Sequence, residues 1–189
     1  RPGGIGFVFQ DDRLLPWQTV IENAALPLRH QGRRARDHGS RESLARARSP
    51  AERPPCLPWN ERKKRARARA AALLERFGLG AEGGKYPDEL SGGMRKRAAF
   101  ARCLACAPGL ILLDEPFSGL HREARRHLWE VFMKLLDRRN APVVVVTHHP
   151  EELGGERRLT HYVLTGRPAR LVPAPALRRG GHGRRRPPP

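Results

Sequence analysis

The stretch LSGGMRKRAAFARCLACAPGLILLDEPFSGL, residues 90–120, leaves this chain few ways to fold. It holds a Ser-Gly-Gly turn, a basic helical segment, and then an apolar run, LILL, that ends in adjacent carboxylates, Asp114 and Glu115. A continuous apolar run between turn signals predicts a strand buried on both faces, as in a parallel sheet. A second run, VVVV at 143–146, also ends in polar residues: Thr147, His148 and His149. Between the two, Leu128, Val131, Phe132, Leu135 and Leu136 recur at helical spacing. Strand, helix, strand, with polar residues at the strand ends, predicts an α/β fold with a mostly parallel core sheet. In such sheets ligands bind beyond the carboxyl ends of the strands.

The remaining segments read as follows. IGFVF, from Ile5 to Phe9, is a short buried strand, and residues 10–17 are a loop. Thr19 caps a short helix that ends near Pro27. Residues 29–60, rich in Arg, Ser and Pro, form a basic flexible insertion. A helix resumes with Asn60 as its cap, Ala70, Leu73, Leu74 and Phe77 on one face, and Gly78 at its C-terminus. THYVLTG and ARLV form a hairpin, followed by a disordered Pro/Arg tail at 173–189. The expected organisation is one domain over 1–172. It comprises the 29–60 insertion, helices over 61–107 and a strand-bearing core over 108–172.

Charge is concentrated outside that core. The formal net charge is +18. Residues 29–69 carry 14 Lys/Arg against four Asp/Glu, and from residue 157 on there are nine arginines and no acid. Such segments can neutralise nucleic-acid phosphates or rest on anionic lipid, and they can equally be solvated without a partner. Neither interleaves the aromatics that single-strand binders stack on bases, so nucleic acid is not the expected partner. Three cysteines, Cys56, Cys103 and Cys106, are an odd number, which argues against a secreted disulfide framework. Cys103 and Cys106 form a C-x-x-C inside a helical segment without a second pair, short of a four-ligand zinc site. They read as buried thiols in a reducing compartment. No apolar run approaches the ~20 residues that cross a bilayer.

Three groups carry chemistry. Asp114 and Glu115 are neighbours on extended chain and point to opposite sides, so one can hold Mg²⁺ while the other accepts a proton from an attacking water. Taken alone, the pair also reads as two solvated acids. Ser91, Gly92 and Gly93 precede a helix. They offer a hydroxyl, free backbone N–H groups and the positive helix end to an anion; alone, they read as a capped helix with a hinge. His148, just past a strand, can hydrogen-bond a phosphate or orient a water, or be a passive loop residue.

In sequence, VFQ ending in Gln10, LSGGM, LILLDEP and VVTH closely resemble the ATP-binding-cassette (ABC) transporter ATPases, from Gly6 to Val172 apart from the insertion. RLLPWQTVIENAALPL and LTGRPARLV are further similar to the nitrate, sulfonate and taurine importer branch. The resemblance implies a P-loop NTPase-like fold with a helical signature subdomain. It implies ATP and Mg²⁺ as cofactors and hydrolysis coupled to uptake of a small solute. Gln10 then reaches Mg²⁺ and the attacking water. Ser91, Gly92 and Gly93 bind the γ-phosphate of ATP held by the opposite subunit. Asp114 is the magnesium aspartate, Glu115 the general base and His148 the switch histidine. The implied partners are a second ATPase subunit paired head to tail, transmembrane permease subunits and, indirectly, a solute-binding protein. The implied location is cytoplasmic, peripheral on the inner face of the membrane. The alternative is a non-catalytic cassette acting as a basic binding module for nucleic acid or anionic lipid.

The sequence departs from the family at several points. The phosphate loop G-x-x-x-x-G-K-[ST], expected well upstream of Gln10, is not in it, nor are the early strands. The expectation is an N-terminally truncated cassette that has negligible turnover by itself. Gly78, Gly80 and Gly83, followed by Lys85, imitate a phosphate loop but follow a helix, and Tyr86 stands where Ser or Thr is required. His121 replaces an aspartate, His149 a common Asp, and Lys96 a usual Gln of the signature helix.

Overall fold

A computed structural model describes residues 4–29, 58–136, 141–149, 153, 162–165 and 170–173. Nearly all of the expected insertion, Cys56 and the tail beyond residue 173 lie outside the described residues. Two compact units divide the chain, residues 1–148 and 149–189.

In the first unit, β1 (Ile5–Val8), β2 (Leu110–Asp114) and β3 (Val143–Val146) form a parallel sheet in the order β1-β2-β3. Phe7 stands beside Leu112, and Leu112 beside Val144. One sheet face is closed: Val8, Ile111 and Leu113 are at most 1% exposed. On that face a Cβ at Gly6 would come within 2.8 Å of Cys103 Sγ and of Pro108, so only glycine lets the helix that carries Cys103, residues Gly92–Ala105, approach. The opposite face shows Ile5 at 62%, Val144 at 50% and Val146 at 60% exposure. The expectation of two-sided burial is therefore corrected. An apolar run records that a strand is hydrophobic; it does not record which face has a neighbour, and on this side Phe7, Leu110 and Leu112 are only half-buried.

Among the described residues four α-helices accompany the sheet: α1 (Val20–Arg29), α2 (Trp59–Arg76), α3 (Gly92–Ala105) and α4 (Arg122–Leu136). α1, α2 and α3 pack mutually, and α3 also packs on β1. The first N–H groups of α1 are satisfied by a distant loop: Val20 donates to the Lys85 carbonyl at 2.8 Å and Ile21 to that of Gly83 at 3.0 Å. The glycine-rich segment that imitates a phosphate loop thus presents carbonyls to a helix start. The Thr19 N–H donates to the Glu22 carboxylate at 3.2 Å and holds that carboxyl below its ordinary pKa.

Two helix boundaries differ from expectation. α1 continues through Pro27 to Arg29, because a proline in the last turn removes one N–H and leaves the earlier ladder intact. α2 begins at Trp59 behind Pro58, whose fixed φ of −50° suits a helix start, and Asn60 lies inside the first turn. Its other end is a full Schellman closure. Leu79 N–H donates to Leu74, and Gly78 N–H to Glu75, with Gly78 at φ +67°.

The core is aromatic. Phe100 of α3 meets Phe132 of α4 edge to face at 5.2 Å and stacks on Phe117 at 6.4 Å; Trp129 closes on Phe117 at 5.6 Å. Phe117 follows Glu115 by two residues, so this cluster anchors the loop that leaves β2. In the second unit, β4 (Tyr162–Thr165) and β5 (Arg170–Pro173) pair antiparallel, as the expected hairpin requires.

Candidate functional site

β2 is the central strand, and its register with β3 decides which side chains meet. Asp114 is the last paired residue, opposite Val146. Glu115 extends the ladder by donating its N–H to the Val146 carbonyl at 2.9 Å, then turns sharply at φ +41°. A left-handed conformation outside glycine costs roughly 1–2 kcal/mol. The loop sustains it through the Ser118 N–H bond to the Glu115 carbonyl and through burial of Phe117. The turn aims the Glu115 carboxylate at the end of β3. There it accepts from the Thr147 hydroxyl at 3.2 Å and the His148 N–H at 2.7 Å. His148 Nε2 lies 3.9 Å from the same carboxylate, with its side chain 93% exposed. The Asp114 carboxylate, half-buried, has no hydrogen bond or ion pair to another described residue. Asp114, Glu115 and His148 are thus brought together at the carboxyl ends of β2 and β3.

Ser91 caps α3. Its backbone is extended, with φ −65° and ψ 159°, and its Oγ accepts from the Met94 N–H at 3.3 Å. Ser91 and Gly92 are exposed. A Cβ at Gly92 would meet nothing nearer than Arg95 at 3.8 Å, so space remains for an anion against the backbone. Gly93 is closer packed, with its Cβ position 3.4 Å from Leu120. No hydrogen bond or ion pair among the described residues joins Ser91, Gly92 or Gly93 to the Asp114, Glu115 and His148 group.

Gln10 sits at the end of β1 and shares an open cavity of about 440 Å³ with Gly92, Lys96, Ser118 and Gly119. Its carbonyl accepts from Lys96 Nζ at 2.7 Å and Ser118 Oγ at 3.4 Å. Three basic residues of α3 hold the loop that follows: Lys96 pairs with Asp12 at 3.0 Å, Arg95 lies 3.9 Å from it, and Arg102 donates to the Asp12 and Arg13 carbonyls at 2.7 and 2.6 Å. Asn23, fully buried, takes the Leu15 N–H and donates to the Leu15, Gln18 and Thr19 carbonyls. Sequence reasoning flagged Lys96 only as a departure and passed over Arg102, Asn23 and Thr147. A signal existed for Lys96: it falls on the stripe of Ala99, Phe100 and Cys103, all buried. His121, another departure, immediately precedes α4, where its Nδ1 accepts from the Ala124 N–H at 3.4 Å.

Cys103 and Cys106 lie in no disulfide. Burial pushes the Cys103 thiol up to about 12, so it stays protonated. No cluster of three His, Cys, Asp or Glu gathers among the described residues. No helix among the described residues is long and apolar enough to cross a membrane.

Comparison with known proteins gives this geometry a context. The family model described as ABC transporter matches residues 1–118. The taurine import ATP-binding protein TauB of Rhizobium johnstonii is 35% identical over 170 residues, which cover 88% of this chain and 53% of the relative. The nitrate transport protein NasD of Klebsiella oxytoca is 34% identical over 145 residues, 77% of this chain and 46% of the relative. The chain thus spans about half the length of these curated relatives. Among solved structures, the dimeric MJ0796, a bacterial ABC transporter cassette, superposes with a TM-score of 0.56 at 31% identity over 80% of this chain and 55% of that one. With the signature turn heading α3 and the acid pair ending the central strand, these matches establish that the chain belongs to the ABC transporter family.

Proposed function

We propose that this chain is part of the ATP-binding subunit of an importer, coupling Mg-ATP binding and hydrolysis to uptake of a small solute of the nitrate, sulfonate or taurine kind. The observation that carries the reading is the asymmetric treatment of the two carboxylates. Among the described residues no side chain or N–H holds the Asp114 carboxylate, whereas Glu115 is held by two donors at the end of the neighbouring strand. Opposite roles follow: a metal-holding oxygen and a positioned base.

The residues present fit a magnesium nucleotide. Asp114 supplies a hard oxygen donor, and Ser91 with Gly92 supplies an exposed hydroxyl and N–H groups at a helix start. Mg²⁺ bound there would neutralise phosphate charge and orient oxygens for in-line attack. Glu115 accepts the proton of the attacking water, Thr147 and the His148 N–H fix its orientation, and the exposed His148 imidazole reaches for phosphate oxygen. Gln10 faces the cavity that Gly92 and Ser118 share. The glycine turn serves a nucleotide seated on a second copy, as suits a family with dimeric cassettes. Permease subunits and the inner membrane face complete the assembly.

Two activities test the proposal. The chain by itself is expected to hydrolyse no measurable ATP, since its sequence holds no G-x-x-x-x-G-K-[ST]. Joined behind a segment that carries that loop from an active cassette, it is expected to hydrolyse ATP in a Mg²⁺-dependent manner. A chimera that folds, binds ATP and shows no Mg²⁺-dependent turnover would reject the reading.

A further inference from the structure

Lys96 stands out among the polar groups that the proposed chemistry does not use. It is 4% exposed, on a helix whose other cations reach solvent or loop carbonyls. A buried ammonium must be paired and hydrogen-bonded, or its charge is costly. Lys96 meets the requirement entirely with the loop after β1: the Gln10 carbonyl at 2.7 Å and Asp12 Oδ1 at 3.0 Å. Six residues on, Arg102 binds the Asp12 and Arg13 carbonyls. Arg13 is held at φ +45°, its guanidinium 4.5 Å from the Phe9 ring centroid. The loop is therefore clasped by α3 at three of its carbonyls and at the half-buried Asp12 carboxylate.

We infer that Lys96 is a tether that makes the Gln10 loop and the signature helix one mechanical unit, so that Gln10 cannot move without α3 and its Ser91–Gly93 turn. A neutral side chain at 96 could donate to the Gln10 carbonyl but could not also balance Asp12; the ammonium does both. Displacement of the loop, by whatever docks against it, is then passed to the helix end that faces phosphate. The consequence for turnover rests on the function proposed above; the tether itself does not.

Native-state trypsin cleavage of the whole chain, read by mass spectrometry, tests the tether without nucleotide. Cleavage after Arg13 requires its clasped carbonyl to be released, and the rate follows the population of the opened loop. Lys96→Met is expected to speed cleavage after Arg13 by roughly tenfold or more, and to leave cleavage after Arg125 and Arg126 unchanged. Lys96→Arg, which keeps a cation and donors, is expected to restore most of the protection. Unchanged cleavage after Arg13 in Lys96→Met, or an equal rise at Arg125 and Arg126, overturns the inference. If Lys96→Met does not fold, Asp12→Asn decides: it keeps the bond to the Gln10 carbonyl and removes the ion pair. A rise of a few-fold is expected, and no rise overturns the tether. A chimera without ATP hydrolysis whose Arg13 stays protected rejects the function and leaves the tether standing.

Discussion

The glycine end of α3 and the acid end of β2 are separated by a single helix and turn, yet they are built by opposite means. The glycine end is largely exposed and carries one side-chain cap, Ser91 Oγ receiving the Met94 N–H, with Arg95 Nη1 on the Leu90 carbonyl just before it. In the proposed function its ligand-facing groups would be backbone, so selectivity for anions would come from N–H direction and helix dipole. The acid end is charged and over-determined. Glu115 is fixed by the ladder bond to Val146, by two donors to its carboxylate, and by Phe117 two residues later in the aromatic core. A group that merely receives a phosphate can be carried on a single cap. A group that must hold a strained backbone while positioning a base needs the core behind it. The two ends favour ligands of opposite charge, and a magnesium triphosphate presents both.

Substitutions can break that comparison, and the largest effect belongs to the acid end. In the phosphate-loop chimera, Glu115→Gln is expected to lower turnover by ~10²–10⁴-fold with nucleotide still bound, measured by phosphate release and filter binding. Undiminished turnover removes Glu115 as the base. Next comes the foundation of the acid end: Phe117→Ala is expected to cost about 3–5 kcal/mol in urea unfolding, because it empties a stacked core position. The glycine end should answer differently. Gly92→Ala meets no atom nearer than 3.8 Å. It is expected to leave stability unchanged or raise it by about 0.5–1 kcal/mol, and to cut turnover by crowding the anion's approach. A loss of stability there would mean that the glycine is architectural. Ser91→Ala, by contrast, is expected to cost about 1 kcal/mol for a lost cap, seen as a modest fall in Tm.

Most of what was legible in the sequence is local. The Ser91 cap, the β2 and β3 runs and the α4 stripe are short-range patterns, and the structure carries each. Trp129 was passed over in α4, although it is buried beside Leu128 and Phe132. The clasp on the Gln10 loop was not legible, since Lys96 meets Gln10 across 86 residues and Arg102 meets Asp12 across 90. Pairings at that range depend on how α3 lies against β1, which Gly6 permits by having no side chain. The open sheet face was invisible for a related reason: Val144 and Val146 are as apolar as Ile111 and Leu113, and hydropathy does not reveal which of them finds a neighbour.

The central claim is that each copy lends its glycine turn to a nucleotide seated on the other, and mixing two inactive chimeras tests it. One copy carries Ser91→Arg and keeps its own Glu115; the other carries Glu115→Gln and keeps its own glycine turn. Each is expected to be inactive alone. If the turn acts across the pair, random mixing restores one competent site in each mixed dimer, about a quarter of the unmodified rate. If the mixture is no more active than either variant alone, although mass spectrometry shows mixed dimers, the turn does not serve the partner's nucleotide and the account is wrong.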